Sequence, residues 1–208
     1  IVSVGLLQLY EQGHFQLDDP IHRFLPAFKS MKVAGEGGAE AALARRPVTF
    51  RHLLTHTSGL ADIALQSYGE PGLSLGAYVD RVAGEPLRFE PGEGWHYGTS
   101  TDVVGRLIEV ISGQELEDYL QEQLFRPLGM EDTTFRLSPL RLKRLATLYH
   151  MPEGGDKIQP FQFIDFQFSC GAGGLYSTAP DFIRFALMLA GKGALGSARI
   201  LGRKTVEL

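Results

Sequence analysis

His52 and His56 stand four residues apart, the spacing that puts two imidazoles on one face of a helix and lets them share a zinc ion. A zinc hydrolase of that design needs a glutamate beside the first histidine, and Leu53 is there instead. The run His52-Leu53-Leu54-Thr55-His56-Thr57-Ser58-Gly59-Leu60 therefore reads as a loop locked by hydroxyl and imidazole hydrogen bonds, with no metal. A metal hydrolase on these histidines is the alternative, and it would require bound zinc. Gly98-Thr99-Ser100-Thr101-Asp102 approaches the Gly-x-Ser-x-Gly nucleophile elbow but ends in aspartate, and no strand-to-helix alternation surrounds it. Asp18 and Asp19 precede Pro20 and read as turn and N-cap residues rather than as a carboxylate pair. The single Cys170 has no charged neighbour in sequence and reads as a small buried residue.

These side chains need elements to hold them. Ile1 to Leu9 is apolar almost all round and reads as a buried helix that runs to about Gln12 and ends at Gly13. Thr49 can cap a short helix whose Leu53 and Leu54 face inward and whose end is set by Gly59. Residues 34–46 form a surface insertion before it. Leu75 to Val82 is a further helix. Val104, Leu107, Ile108 and Ile111 recur at helical spacing, with Gly113 as the stop. Thr99-x-x-Asp102 is a capping-box pattern ahead of that helix. Leu116, Tyr119, Leu120 and Leu124 mark the next one, closed by Pro127 and Gly129. Tyr149 and Phe161 flank a hairpin-like turn at Pro152 to Asp156. Thr178, Pro180 and Asp181 open a helix whose Phe182, Phe185, Ala186 and Leu189 share a face, and Lys204 to Leu208 begins another.

The 208 residues carry a formal charge of −4 with no basic stripe, which argues against a nucleic-acid partner. One cysteine excludes an intrachain disulfide and leaves the compartment open. The apolar stretch at Ile1 to Leu9 falls far short of the roughly 20 residues of a membrane span. No internal repeat or linker divides the chain, so residues 1–208 are expected to form one domain, cut at both ends.

The segment Thr49 to Leu60 resembles the signature of the serine β-lactamase-related family, which includes class C β-lactamases, D-alanyl-D-alanine carboxypeptidases and related esterases. Three later stretches are similar to family segments in the same order: Asp102 to Gly113, Leu124 to Phe135 and the glycine-rich Ser169 to Phe182. The resemblance implies an α/β (α+β) fold of the β-lactamase/transpeptidase type, here mainly its helical part with a few strands. It implies a hydrolase that opens esters or β-lactam and peptide amides through an acyl-enzyme, without cofactor or metal, and its partner would be a small-molecule ester or β-lactam. Phe15 to Pro26 and Asp102 to Gly113 look more like the esterase-like members.

Trp95-His96-Tyr97-Gly98-Thr99 lies between a Pro/Gly turn and a helix start, where a backbone can hold a side chain out toward a cleft. The family places a tyrosine of a Tyr-x-Asn or Tyr-x-Ser motif beside its nucleophilic serine and a lysine, and Tyr97 matches it. A phenol ionises near pH 10, so it acts as a base at neutral pH only where ammonium groups favour the phenolate. By the same resemblance Trp95, Thr99 and Gly173 contact substrate; Thr99 departs from the usual asparagine or serine. The family's Ser-x-x-Lys occurs nowhere in the 208 residues, nor does Lys-Thr-Gly, the usual form of its third motif; the single His-x-Gly, His96-Tyr97-Gly98, falls on the tyrosine motif and not on a strand of its own. The first is expected directly before Ile1 and the second after Leu208. The oxyanion donors they carry would be absent with them, so the isolated chain is expected to be inactive. The alternative is a non-catalytic member that keeps the fold for binding.

Overall fold

The computed structural model describes every residue except 36, 38, 39, 153 and 162–165. Its centre is helix α4 (Ser100–Ser112), which packs against α1 (Val2–Glu11), α2 (Phe50–Leu54), α3 (Leu75–Gly84) and α5 (Leu116–Leu120). The helical spacing read from the sequence is the reason: Val103, Val104, Leu107 and Ile108 are all at most 1% exposed. Each such side chain contributes about 1.5–3 kcal/mol by leaving water. Gly5 lets α1 approach closely, since a β-carbon there would lie 2.9 Å from the Leu120 side chain and 3.3 Å from Ile108. The Tyr119 hydroxyl donates to the Gly5 carbonyl at 3.2 Å across the same crossing. Gly113 ends α4 in the left-handed conformation, as expected of a glycine in that place.

Two helix ends differ from expectation. Pro127 does not close the helix that begins at Leu116: a π-helical turn at Gln121–Phe125 carries the chain into α6 (Arg126–Leu128), and Gly129, left-handed, is the stop. Proline has no N–H to offer the Gln123 carbonyl, and Gln8 of α1 supplies the donor instead, Nε2 to O at 3.0 Å. The second difference is α2. It stops at Leu54, and His56, not Gly59, takes the first left-handed conformation.

The remaining elements are short. Helices α7 (Pro139–Leu142), α8 (Ala179–Ala190) and α9 (Arg203–Val206) follow, and three two-stranded antiparallel ladders complete the described residues, one ahead of α2, one between α7 and α8 and one between α8 and α9. Strand β1 (Lys32–Val33) pairs with β2 (Ala42–Leu43), β3 (Tyr149–His150) with β4 (Gln159–Pro160), and β5 (Ala194–Leu195) with β6 (Ala198–Arg199). The hairpin expected around Pro152 to Asp156 is thus formed by β3 and β4, with Glu153 outside the described residues. Part of the expected 34–46 insertion lies outside them too. In α8 the Thr178 hydroxyl accepts from Asp181 N, the cap anticipated. Its buried face runs through Asp181, Phe185 and Met188, while Phe182 is half-exposed and leans on Phe185. No described helix is long and apolar enough to cross a membrane.

Candidate active site

The His52 to Leu60 run builds one wall of a cleft. Thr49 and His52 form a reciprocal cap: the hydroxyl accepts from His52 N at 3.3 Å, and His52 Nδ1 accepts from Thr49 N at 3.2 Å. Burial, more than the nearby Arg46 charge, lowers the proton affinity of His52. Past α2 the Thr55 hydroxyl donates to the Arg51 carbonyl at 2.8 Å and meets the Thr57 hydroxyl at 2.8 Å. The two histidines therefore do not share a helix face: His52 is bound into the cap, and His56 lies beyond the helix end.

Residues 56–59 then act as a rail for the segment that carries Tyr97. Arg88 N donates to Gly59 O at 2.7 Å, Gly92 N to Thr57 O at 2.8 Å and His96 N to His56 O at 2.9 Å. A β-carbon on Gly59 would overlap the Phe89 carbonyl, so the glycine permits the approach. His96 Nε2 lies 2.7 Å from Asp62 Oδ2, with Arg88 3.4 Å from the same oxygen. Asp62 Oδ1 occupies the space a side chain at Gly98 would need. The Ser58 and Ser100 hydroxyls pair at 2.8 Å, both buried, which joins the rail to the first turn of α4.

Tyr97 stands at the mouth of a cleft of about 260 Å³, which Asp62, Ile63, Tyr68, Thr99, Phe166 and Gly173 also line. Three of the four residues expected at the site are thus brought together. Trp95 is not among the lining residues; it is 67% exposed, and its ring meets His56 at a centroid distance of 6.3 Å. Tyr97 is equally exposed, with its ring 4.8 Å from that of His56. Thr99 corrects the capping-box expectation. It already has helical φ and ψ, its side chain makes no cap bond, and its hydroxyl donates to the Ala61 carbonyl at 3.0 Å. The donor is thereby engaged, and only the lone pairs of the hydroxyl face the cleft.

The cleft floor is a buried polar network that sequence reading did not single out. Asp102 is 0% exposed, in the first turn of α4. Its Oδ2 accepts from the Tyr68 hydroxyl at 2.7 Å, and its Oδ1 accepts from Cys170 Sγ at 2.8 Å and Ala172 N at 2.9 Å. The Tyr78 hydroxyl donates in turn to Tyr68 at 2.9 Å. Burial pushes the Asp102 carboxyl above the usual range, against the pull of the thiol, phenol and amide donors. Burial, then the Asp102 charge, pushes the Cys170 thiol up, so it stays protonated and donates. That agrees with Cys170 as a buried residue and not a nucleophile. Gly171 makes the contact possible, since a β-carbon would overlap the Thr101 carbonyl. A larger hollow of about 530 Å³ between α3, α4 and α5 is lined by charged residues, of which Arg106 pairs with Glu109 at 2.8 Å.

Comparison with known proteins fits this geometry. The family model named Beta-lactamase matches residues 1–208. The chain belongs to the β-lactamase family. Among its relatives are the monacolin J acid methylbutanoyltransferase of Aspergillus terreus and esterase EstB of Burkholderia gladioli. The first is 36% identical over 164 residues, 72% of this chain and 40% of that protein. The second is 31% identical over 217 residues, 88% of this chain and 53% of that protein. Unliganded simvastatin synthase from Aspergillus terreus superposes with a TM-score of 0.81 at 31% identity, covering 100% of this chain and 55% of the other. The fold is thus that of the β-lactamase/transpeptidase group, and the chain spans about half the length of the relatives it matches. β-Lactamase-family relatives of this kind are hydrolases and acyltransferases.

Proposed function

We propose that the Tyr97 cleft is the substrate face of a β-lactamase-family acyl-transfer site acting on esters or on β-lactam and peptide amides through an acyl-enzyme. The observation that supports this best is Tyr97 itself, exposed at the mouth of a partly apolar cleft within reach of Thr99 and Gly173. Tyr97 acts as the general base: its oxygen takes the proton of a serine hydroxyl as that oxygen bonds the carbonyl carbon, then returns it to the leaving alcohol or amine. Thr99 and Gly173 line the bound substrate. Water as acceptor completes hydrolysis, and an alcohol completes acyl transfer, the two outcomes named for the esterase and methylbutanoyltransferase relatives.

None of the serines in the 208 residues is followed three positions on by lysine. The isolated chain is therefore expected to take no label from a fluorophosphonate or a fluorescent penicillin, and stoichiometric labelling at one of its serines would overturn this. In a protein where Ser-x-x-Lys precedes the chain, Tyr97→Phe should lower kcat/KM for a p-nitrophenyl ester by about 10²–10⁴. Undiminished activity would remove Tyr97 as the base. A complete protein that carries no Ser-x-x-Lys would bind ligand without turnover, the binding alternative.

A further inference from the structure

We infer that His56 is the positioning residue for Tyr97: a left-handed backbone at 56 turns its imidazole onto the phenol ring and holds that ring at the mouth of the cleft. The inference deepens the proposed role of Tyr97 and rests on it for its catalytic meaning, though the contact itself does not.

Among the described residues only His56 and Lys192 are non-glycine residues with positive φ, and His56 has φ 56°. Side chains rarely adopt that conformation, and where they do the surroundings hold it in place. Here the hold is on both sides. His56 N donates to Leu53 O at 3.3 Å, Thr57 N donates to His52 O at 2.9 Å, and the His56 carbonyl accepts from His96 N at 2.9 Å. Glycine or asparagine would make the same turn with less strain. What histidine adds is a ring. Its centroid is 4.8 Å from that of Tyr97, with the planes 35° apart, and 6.3 Å from that of Trp95, edge-on at 62°. Offset aromatic contacts of this kind set relative orientation as well as proximity.

Among the described residues the Tyr97 side chain is held by this ring contact. The side chain is two-thirds exposed, and no hydrogen bond to its hydroxyl is made among the described residues. His56 Nδ1 is buried without a partner among them, so the imidazole serves here as an aromatic surface rather than as a hydrogen-bonding group. Burial, and secondarily the neighbouring His96, lower its proton affinity and keep the ring neutral near pH 7. The titratable groups around it are Tyr97 and His96, with Asp62 and Arg88 behind His96.

The test is carbon NMR of the 208-residue chain labelled at tyrosine Cζ, with the Tyr97 resonance assigned by Tyr97→Phe. In the wild type that resonance should lie away from the position of a solvent-exposed tyrosine and should step as pH falls through the His56 titration, below the ordinary 6.5. His56→Asn and His56→Gly, both at ease in the left-handed conformation, should lose the step and move the resonance toward the exposed value. His96→Asn should keep the step. A folded His56 variant that leaves the Tyr97 resonance and its step unchanged overturns the inference, as does a step that vanishes with His96 alone. The activity of Tyr97→Phe is a separate measurement, so failure of the catalytic role and failure of the positioning role are told apart.

Discussion

The rim and the floor of the cleft are built on opposite principles, although only a few residues separate them. At the rim, Trp95, Tyr97 and His56 touch through ring faces and edges, two of the three are 67% exposed, and the phenol hydroxyl is unengaged among the described residues. On the floor, Tyr78, Tyr68, Asp102 and Cys170 form a chain of hydrogen bonds of 2.7–2.9 Å in which every donor is used. A buried polar network is costly unless each member is satisfied, and when satisfied it fixes one arrangement. The floor therefore supplies rigidity, and the rim keeps reactive groups available to a substrate. Stability and chemistry are divided between neighbouring parts of one site.

Breaking the floor should cost most. Asp102→Ala strands the Tyr68 hydroxyl, the Cys170 thiol and the Ala172 amide at once, and should lower unfolding free energy by about 3 kcal/mol in urea denaturation. A loss below about 1 kcal/mol would show that the network is not the anchor its geometry suggests. Cys170 should then also react with a thiol reagent under native conditions, whereas in the wild type it should not, because it is buried and protonated.

The pH dependence of stability sharpens the contrast, because rim and floor pull in opposite directions. His52 and His56 have folded proton affinities below the unfolded value of 6.5. The unfolded chain binds more protons there, so their contribution is complete above pH 6.5 and is lost as pH falls through the depressed folded values. Asp102 is raised above 3.8. Its contribution is complete below 3.8 and is lost as pH rises through the raised folded value. In urea midpoints measured from pH 4 to 8, His56→Asn should lose part of the fall below pH 6.5, and Asp102→Asn should lose the fall that sets in above pH 3.8. An identical profile in both variants would erase the distinction.

The smallest effect is expected at the rim. Tyr97→Phe and Trp95→Ala should each change unfolding free energy by no more than about 0.5 kcal/mol, since exposed side chains carry little of the fold. A cost as large as that of Asp102→Ala would make the rim structural and weaken the case for Tyr97 as a working group.

Local signals carried far in the sequence, and long-range ones did not. Gly113 and Gly129 were legible as helix ends because a residue without a β-carbon takes the left-handed conformation at no steric cost. The Thr49 and Thr178 caps were legible because a hydroxyl reaches the backbone three residues on. Thr99 looked the same but was claimed by the Ala61 carbonyl, 38 residues away in sequence, which no local pattern discloses. Asp102 was read as the far end of a capping box, and its place in the buried network was hidden for the same reason: Tyr68, Cys170 and Ala172 lie 34, 68 and 70 residues from it. Pro127 misled because its missing donor was replaced from α1 by Gln8. Gly59 was given a stop that His56 makes earlier. Trp95 was placed at the cleft by the family resemblance alone, and its ring lies against His56, on the side that Tyr97 also takes, outside the residues that line the cleft.

Gly98 carries a consequence for anyone who would reshape this cleft. The Asp62 carboxylate fills the volume beside it, and the same carboxylate tethers His96 and Arg88. A side chain at 98 displaces the Asp62 carboxylate and with it the tether of the Trp95 to Thr99 run, so bulk at 98 and the hold on His96 are alternatives. A smaller residue at 62 would make room for a larger one at 98 and give up the contacts to His96 and Arg88 in exchange.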